Sequence, residues 1–140
     1  VELPPKPGVH PRPDAVIQGF LVQAMAGTGK ELLVGVVRDP QFGALVMVGF
    51  GGIYVEIFRD VSARICPITS ADFTEMMAEL KSHPLLEGAR GKKPINKKAL
   101  ERLAIRAGKF MIKEDIKEMD LNPVVCDERG CDIVDARFSK

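Results

Sequence analysis

Asn122 and Asp135 are the pair of residues whose types and spacing best suit metal chemistry in this chain. They flank the turn Asp127-Glu128-Arg129-Gly130, which has a short apolar run on each side. Two β-type runs joined by four turn residues predict a hairpin. With the loop centred on Glu128 and Arg129, Cys126 faces Cys131, Val124 faces Ile133, Asn122 faces Asp135 and Asp120 faces Arg137. Side chains alternate across a strand, so these eight are expected on one face. The other face then carries Leu121, Pro123, Val125, Val134, Ala136 and Phe138 and should be dry. A carboxamide oxygen beside a carboxylate suits a hard cation such as Mg²⁺, which takes one or two protein oxygens and completes its octahedron with phosphates and waters. An ordinary hairpin with a polar solvent face has the same pattern, and Pro123 can mark a bulge or a sheet edge.

Other polar residues sit where apolar ones would pack more easily. Glu31 opens a strongly apolar strand just after a glycine turn. A strand-end Glu is commonly a solvated edge, but its carboxylate can also accept hydrogen bonds from sugar hydroxyls, as acidic residues do in dinucleotide folds. Gln23, inside a predicted strand, has an amide suited to an adenine edge or to a satisfied position on a sheet face. Gly49-Phe50-Gly51-Gly52-Ile53-Tyr54-Val55-Glu56 matches neither the dinucleotide fingerprint nor the P-loop. Its glycines would let backbone N–H groups approach phosphate oxygens, or would simply turn the chain between strands. Glu56, Asp60, Arg64 and Arg90 are charges that could line the same crevice or the surface. The only histidines, His10 and His83, lie in a proline-rich leader and before Pro84, without the surroundings of a general base. Serine- and cysteine-nucleophile constellations find no support.

The elements that must position these groups follow from periodicity. The first fourteen residues hold five prolines, which prevents a helix or a central strand and predicts a linker or truncated leader over 1–15. Strands are expected at Phe20 to Met25, Glu31 to Asp39, Ala44 to Phe50, Tyr54 to Phe58 and Ser62 to Ile65. Thr69 or Ser70 can cap a helix with Phe73, Met76, Met77 and Leu80 on its buried face, ended by Pro84. Residues Gly88 to Pro94 read as a basic loop. Asn96 caps a second helix whose stripe is Leu100, Leu103, Ala104, Ala107, Phe110 and Met111. Strands, helix, helix, strands predict an α+β fold: a mixed, largely antiparallel sheet with two main helices packed on it.

Composition bounds the function. The chain has 140 residues, 46% of them apolar, and a net charge of +1, so it has enough apolar sequence for one core and no field for recruiting nucleic acid or membrane. Aromatics are too scarce for a single-strand stacking platform. Cys66, Cys126 and Cys131 lack a CxxC pair and are expected to be reduced, half-buried thiols in a cytoplasmic protein, with a disulfide or zinc role for Cys126 and Cys131 as the alternative. No apolar run reaches transmembrane length and no signal peptide is visible. The sequence starts at Val1 without Met, as a piece of a longer chain would.

Four motifs together resemble one family. Glu31-Leu32-Leu33-Val34-Gly35-Val36-Val37-Arg38-Asp39-Pro40-Gln41-Phe42-Gly43, Gly51-Gly52-Ile53-Tyr54-Val55-Glu56, Asp120-Leu121-Asn122-Pro123 and Val134-Asp135-Ala136-Arg137 are similar to the ATP-grasp part of NDP-forming acyl-CoA synthetases. Within that group they resemble the β subunit of ADP-forming acetyl-CoA synthetase, and more distantly succinyl-CoA synthetase β. The resemblance covers about Val16 to Phe138 and implies that residues 16–140 are the larger, C-terminal ATP-grasp lobe. It implies interconversion of acid, CoA and ATP with acyl-CoA, ADP and phosphate, through an acyl phosphate and a phosphohistidine. Gln23 and Ala26 match the adenine-hinge segment, Glu31 the nucleotide-binding glutamate, and Asn122 and Asp135 the Mg²⁺ ligands. Gly51 and Gly52 match the loop near the phosphoryl-transfer site, with Arg38 as the cationic candidate. The implied partners are a CoA-binding and phosphohistidine-bearing α subunit or domain and the smaller N-terminal ATP-grasp lobe, which nothing before Val16 can supply. Alternatives are a non-catalytic interaction or regulatory module that keeps the lobe, or part of a fused acyl-CoA synthetase-like acetyltransferase.

Overall fold

The most apolar run of the chain becomes the middle strand of its sheet. Five consecutive residues, Leu32 to Val36, are buried in β1 (Lys30–Asp39), which requires cover on both faces and both edges. The computed structural model describes residues 16, 19–20, 22–51, 60–91 and 93–140, the Arg90 side chain aside. One edge of β1 pairs with β2 (Gly43–Phe50), which pairs in turn with β3 (Val61–Ile65). The other edge pairs with β4 (Glu118–Cys126), whose far side carries β5 (Cys131–Ile133) at one end and β6 (Ala136–Ser139) at the other. The sheet order is β3-β2-β1-β4-β5, and every pairing is antiparallel.

Among the described residues, three helices lie on one side of this sheet. α1 (Ser70–Glu79) starts at a capping box: Thr69 Oγ1 accepts from the Asp72 amide, and the Asp72 carboxylate accepts from Thr69. Its expected stripe of Phe73, Met76, Met77 and Leu80 is buried throughout. Pro84 opens a further short helix, α2 (His83–Leu86), instead of only ending the first, because proline's missing N–H costs nothing in a first turn. The expected basic loop holds a 3₁₀ turn at Ala89–Gly91. α3 (Lys97–Glu114) is capped by Asn96, whose Oδ1 accepts from the Ala99 amide at 3.0 Å. Leu100, Ala104, Ala107, Gly108 and Met111 form its buried stripe. Leu103 is only half-buried and Phe110 is exposed, so the stripe is narrower than expected. Small residues on that stripe let the helix close on the sheet: a Cβ on Gly108 would stand 2.6 Å from the Cys66 sulfur. Leu32, Val34, Val36, Val46 and Val48 project from the sheet into the same core.

Two expected strands need comment. Phe20 and Val22 to Met25 have no regular structure, and Phe20, Val22 and Met25 lie about nine-tenths exposed. The strand expected at Tyr54 to Phe58 falls outside the described residues. Among the described residues no helix is long and apolar enough to cross a membrane.

Candidate functional site

The opposite face of the sheet carries no helix among the described residues, and the candidate site lies there. The terminal hairpin has the expected register: Cys126 pairs with Cys131, Val124 with Ile133 and Asp120 with Arg137. Between those pairs the Asn122 amide donates to the Asp135 carbonyl at 3.2 Å, so the two residues face each other across the strands. The face assignment changes along β4, however. Leu32 pairs with Val124 but Val34 pairs with Leu121, so β4 holds one extra residue there, a bulge at Asn122-Pro123. The bulge turns the alternation by one residue. Met119, Leu121, Val124 and Cys126 therefore all bury into the helix-covered core. Val124 and Cys126 were expected beside Asn122 on the polar face and instead lie behind it. The face expected to be dry is dry at Leu121 alone, since Val134 and Phe138 are exposed.

Glu31 and Gly51 reach the same place from β1 and the end of β2. The Gly51 N–H donates to the Glu31 carbonyl at 2.8 Å. That bond uses the amide expected to meet a phosphate, so Gly51 serves the site through its missing side chain. A Cβ there would stand 2.6 Å from the Leu32 carbonyl oxygen and 3.1 Å from Asn122 Oδ1. Glycine thus keeps open the space next to the carboxamide. The Glu31 side chain is exposed, one residue from the buried run of β1. Asn122 is half-buried, and Asp135 is 46% exposed and ion-paired to Arg137, with Asp135 Oδ2 3.2 Å from Arg137 Nη2.

Several sequence candidates go elsewhere. Arg38 lies seven residues beyond Glu31, roughly 23 Å along the strand at about 3.3 Å per residue, and pairs with Asp115 at 3.1 Å beyond the end of α3. It also shares the helix side of the sheet with Val34 and Val36, so it is not part of this site. Asp60 is buried and accepts the Lys81 and Ser82 amides, each at 2.8 Å, ahead of α2. Burial pushes its carboxyl up, and the hydrogen bonds from Ser82 and Lys81 outweigh that and hold it below its ordinary value. Arg64 turns to the helix side, where it pairs with Glu79 and Glu75 of α1. The Arg64 guanidinium, and then the Ser62 hydroxyl, lower the Glu79 carboxyl from 4.5 to about 2. Gly52 and Glu56 fall outside the described residues, as does the Arg90 side chain. Gln23 and Ala26 are exposed in the coil before β1, with a Cβ built on Gly27 3.7 Å from the Arg129 guanidinium of the hairpin turn.

The cysteines differ from expectation too. Cys126 is fully buried and disulfide-bonded to Cys131 across the hairpin, because the register that sets Asn122 opposite Asp135 also sets the two thiols opposite each other. Cys66 is a free, half-buried thiol whose pKa burial pushes up. Sequence reasoning had the Asp120–Arg137 pair in register but missed Arg137 as the partner of Asp135. The available signal was their spacing of two along one strand, which puts them on one face.

The donor set fits a hard divalent cation. Asn122 on β4 and Asp135, between β5 and β6, are joined by a backbone hydrogen bond, and a glycine leaves room beside the Asn122 carboxamide. Among the described residues no three His, Cys, Asp or Glu gather into a dedicated cage. Two protein oxygens with the remaining positions left to ligand and water is the arrangement Mg²⁺ favours over a full protein shell.

Comparison with known proteins gives a consistent picture. The family described as ATP-grasp domain matches residues 9–139. The β subunit of acetate–CoA ligase [ADP-forming] I from Pyrococcus furiosus is 46% identical over 128 residues, which are 91% of this chain and 55% of that protein. The 4-hydroxybutyrate–CoA ligase [ADP-forming] of Nitrosopumilus maritimus is 40% identical over 130 residues, covering 89% of this chain and 18% of that one. Among solved structures, dinucleotide forming acetyl-coenzyme A synthetase 1 of Ca. Korarchaeum cryptofilum, in complex with coenzyme A, Ca-AMPCP and HgCl⁺, superimposes with a TM-score of 0.83 at 48% identity, over 91% of this chain and 56% of that one. The same protein with coenzyme A and Mg-AMPPCP gives 0.78 at 47% identity, over 81% and 54%. The chain therefore spans about half the length of the β subunit and the solved chains, and less of the longer ligase.

Proposed function

Since the chain belongs to the ATP-grasp domain family, we propose that residues 16–140 are the nucleotide- and Mg²⁺-binding lobe of an ADP-forming acyl-CoA ligase. The observation that carries this reading is the set of contacts that joins Gly51 to Glu31 and to Asn122 Oδ1, and Asn122 to Asp135, from two strands, the residue after a third and the residue before a fourth. The relatives' names, as acetate–CoA and 4-hydroxybutyrate–CoA ligases [ADP-forming], support the reaction class. The complete assembly would interconvert acid, CoA and ATP with acyl-CoA, ADP and phosphate through an acyl phosphate and a phosphohistidine.

Each residue has a physical task in that scheme. The exposed Glu31 carboxylate accepts hydrogen bonds from ribose hydroxyls. Gln23 and Ala26, in the coil that leads into β1, meet the adenine edge. Asn122 and Asp135 hold Mg²⁺, and Gly51, with Gly52 next to it in sequence, leaves the phosphates room to reach it. The bound ion supplies charge neutralisation at the phosphate oxygens, and the rest of such catalysis is positioning.

The lobe works with other parts. Phe20, Val22 and Met25 are about nine-tenths exposed in a segment of strand-like sequence, which suits docking against the smaller ATP-grasp lobe. A CoA-binding and phosphohistidine-bearing partner completes the reaction, in the cytoplasm where its nucleotide and CoA are found. Asn122→Ala and Asp135→Ala, each made in the complete assembly, should abolish metal-dependent ADP formation while the fold survives. Unchanged turnover in both would remove the assignment.

A further inference from the structure

Three carboxylates and one guanidinium share the outer end of the β4–β6 ribbon. Glu118 and Asp120 alternate with the buried Met119 and Leu121, so they project from the helix-free face. Arg137 stands opposite Asp120 in the strand register, and its Nη2 lies 3.2 Å from Asp135 Oδ2. With Phe138 and Ser139, the residues Glu118, Asp120 and Arg137 line a shallow depression next to Asp135. The Arg137 side chain is 79% exposed and Asp135 is 46% exposed. An ion pair so open to water contributes little to stability, so its consequence is local. It occupies one oxygen of the carboxylate that the proposed metal site needs.

A guanidinium and a divalent cation compete for the same lone pairs, and they repel each other across a few ångströms. Resting on the metal reading of Asn122 and Asp135, we infer that Arg137 is a positioning residue that sets the threshold for loading that site. It holds the Asp135 carboxylate aimed while the site lacks metal, and it raises the cation concentration needed to displace it. On displacement the guanidinium has an acceptor close by in Asp120, directly across the strand pair. The ribbon thus holds two alternative partners for one arginine, and only one of them is a proposed metal ligand.

The test is a Mn²⁺ titration of the full chain, read as loss of the free-ion electron paramagnetic resonance signal at low ionic strength. Asp135→Asn serves as the site control, and thermal melting checks each fold. Arg137→Gln should lower the half-saturating Mn²⁺ concentration three- to tenfold, and Arg137→Lys should fall between it and the parent. A general structural defect would weaken loading, so tightening is the signature of competition. Equal or weaker loading in a folded Arg137→Gln, with binding lost in Asp135→Asn, would overturn the threshold role and leave the metal site standing. Binding unchanged by Asp135→Asn, or no binding by the parent chain, would overturn the metal reading and this inference with it.

Discussion

Gly51→Ala is the substitution whose effect the geometry fixes most closely. The added Cβ would lie 2.6 Å from the Leu32 carbonyl oxygen and 2.7 Å from its carbonyl carbon. Ordinary carbon–oxygen contacts begin near 3.3 Å, so something must move by about 0.7 Å. Leu32 cannot yield cheaply. It is fully buried and paired on both edges, to Phe50 and to Val124. The end of β2 must therefore shift, and the Gly51-to-Glu31 backbone bond with it. Overpacking of this kind costs roughly 1–3 kcal/mol. With a urea slope of about 1.5 kcal/mol per molar, a 2 kcal/mol loss moves the midpoint down by about 1.3 M. Gly130→Ala is the matched control. A Cβ there meets nothing within 4 Å, and its φ lies outside the left-handed region. It should be neutral or stabilising by up to about 1 kcal/mol through the unfolded chain. Because Asn122 Oδ1 sits 3.1 Å from the same added carbon, Gly51→Ala should also weaken Mn²⁺ binding. A urea midpoint unchanged from the parent would refute the close approach, and with it the account of why glycine stands beside the carboxamide.

Two further outcomes test the scaffold. Asp60→Ala leaves the Lys81 and Ser82 amides without their acceptor in a half-buried turn, which should cost about 1–3 kcal/mol in urea unfolding. Glu79, held at about 2 by Arg64 and then Ser62, contributes stability that is fully present above its ordinary value of 4.5 and is lost as pH falls towards 2. Glu79→Gln should therefore flatten the melting temperature between pH 4.5 and 2 relative to the parent, and parallel curves would refute the pairing.

The sheet was legible where one periodicity dominated. β1 and β2 read as strands because their apolar runs are bounded by glycine and Asp-Pro turns. The Phe73–Leu80 stripe read as helix because its spacing fits no other element. The hairpin register followed from its turn alone. Sequence raised a bulge at Pro123 only as an alternative and could not give its effect on the faces. Alternation assumes one residue per step, and the extra residue at Asn122-Pro123 breaks that count, sending Val124 and Cys126 into the core. Arg38 was misplaced for a related reason: membership of a motif says nothing about which end or face of a long strand a residue occupies. Asp60 and Arg64 looked like crevice charges because a charge between strands carries no mark of its partner, and their partners in α1 and ahead of α2 are 11 to 22 residues away. Phe20 and Val22 to Met25 have strand-like sequence but no paired strand among the described residues, and a strand without a partner has no ladder to satisfy its backbone.

The bulge that defeated the alternation is also what sets up the proposed site. In a regular ribbon, Val124 and Ile133 would continue the polar face, and the apolar residues that seal the core against β1 would sit one step out of phase. The extra residue lets β4 bury Met119 and Leu121 before it and Val124 and Cys126 after it. Core cover is then continuous while Asn122, between them, is left to the opposite face at the point where the ribbon changes phase. One irregularity thus separates the two demands on this strand, since the helix side carries the packing and the open side can carry polar groups without weakening it. Removing the irregularity, by deleting Pro123, would restore strict alternation and force a choice between the buried pair and the carboxamide. Physical chemistry decides that choice: two buried apolar side chains outweigh one half-exposed amide.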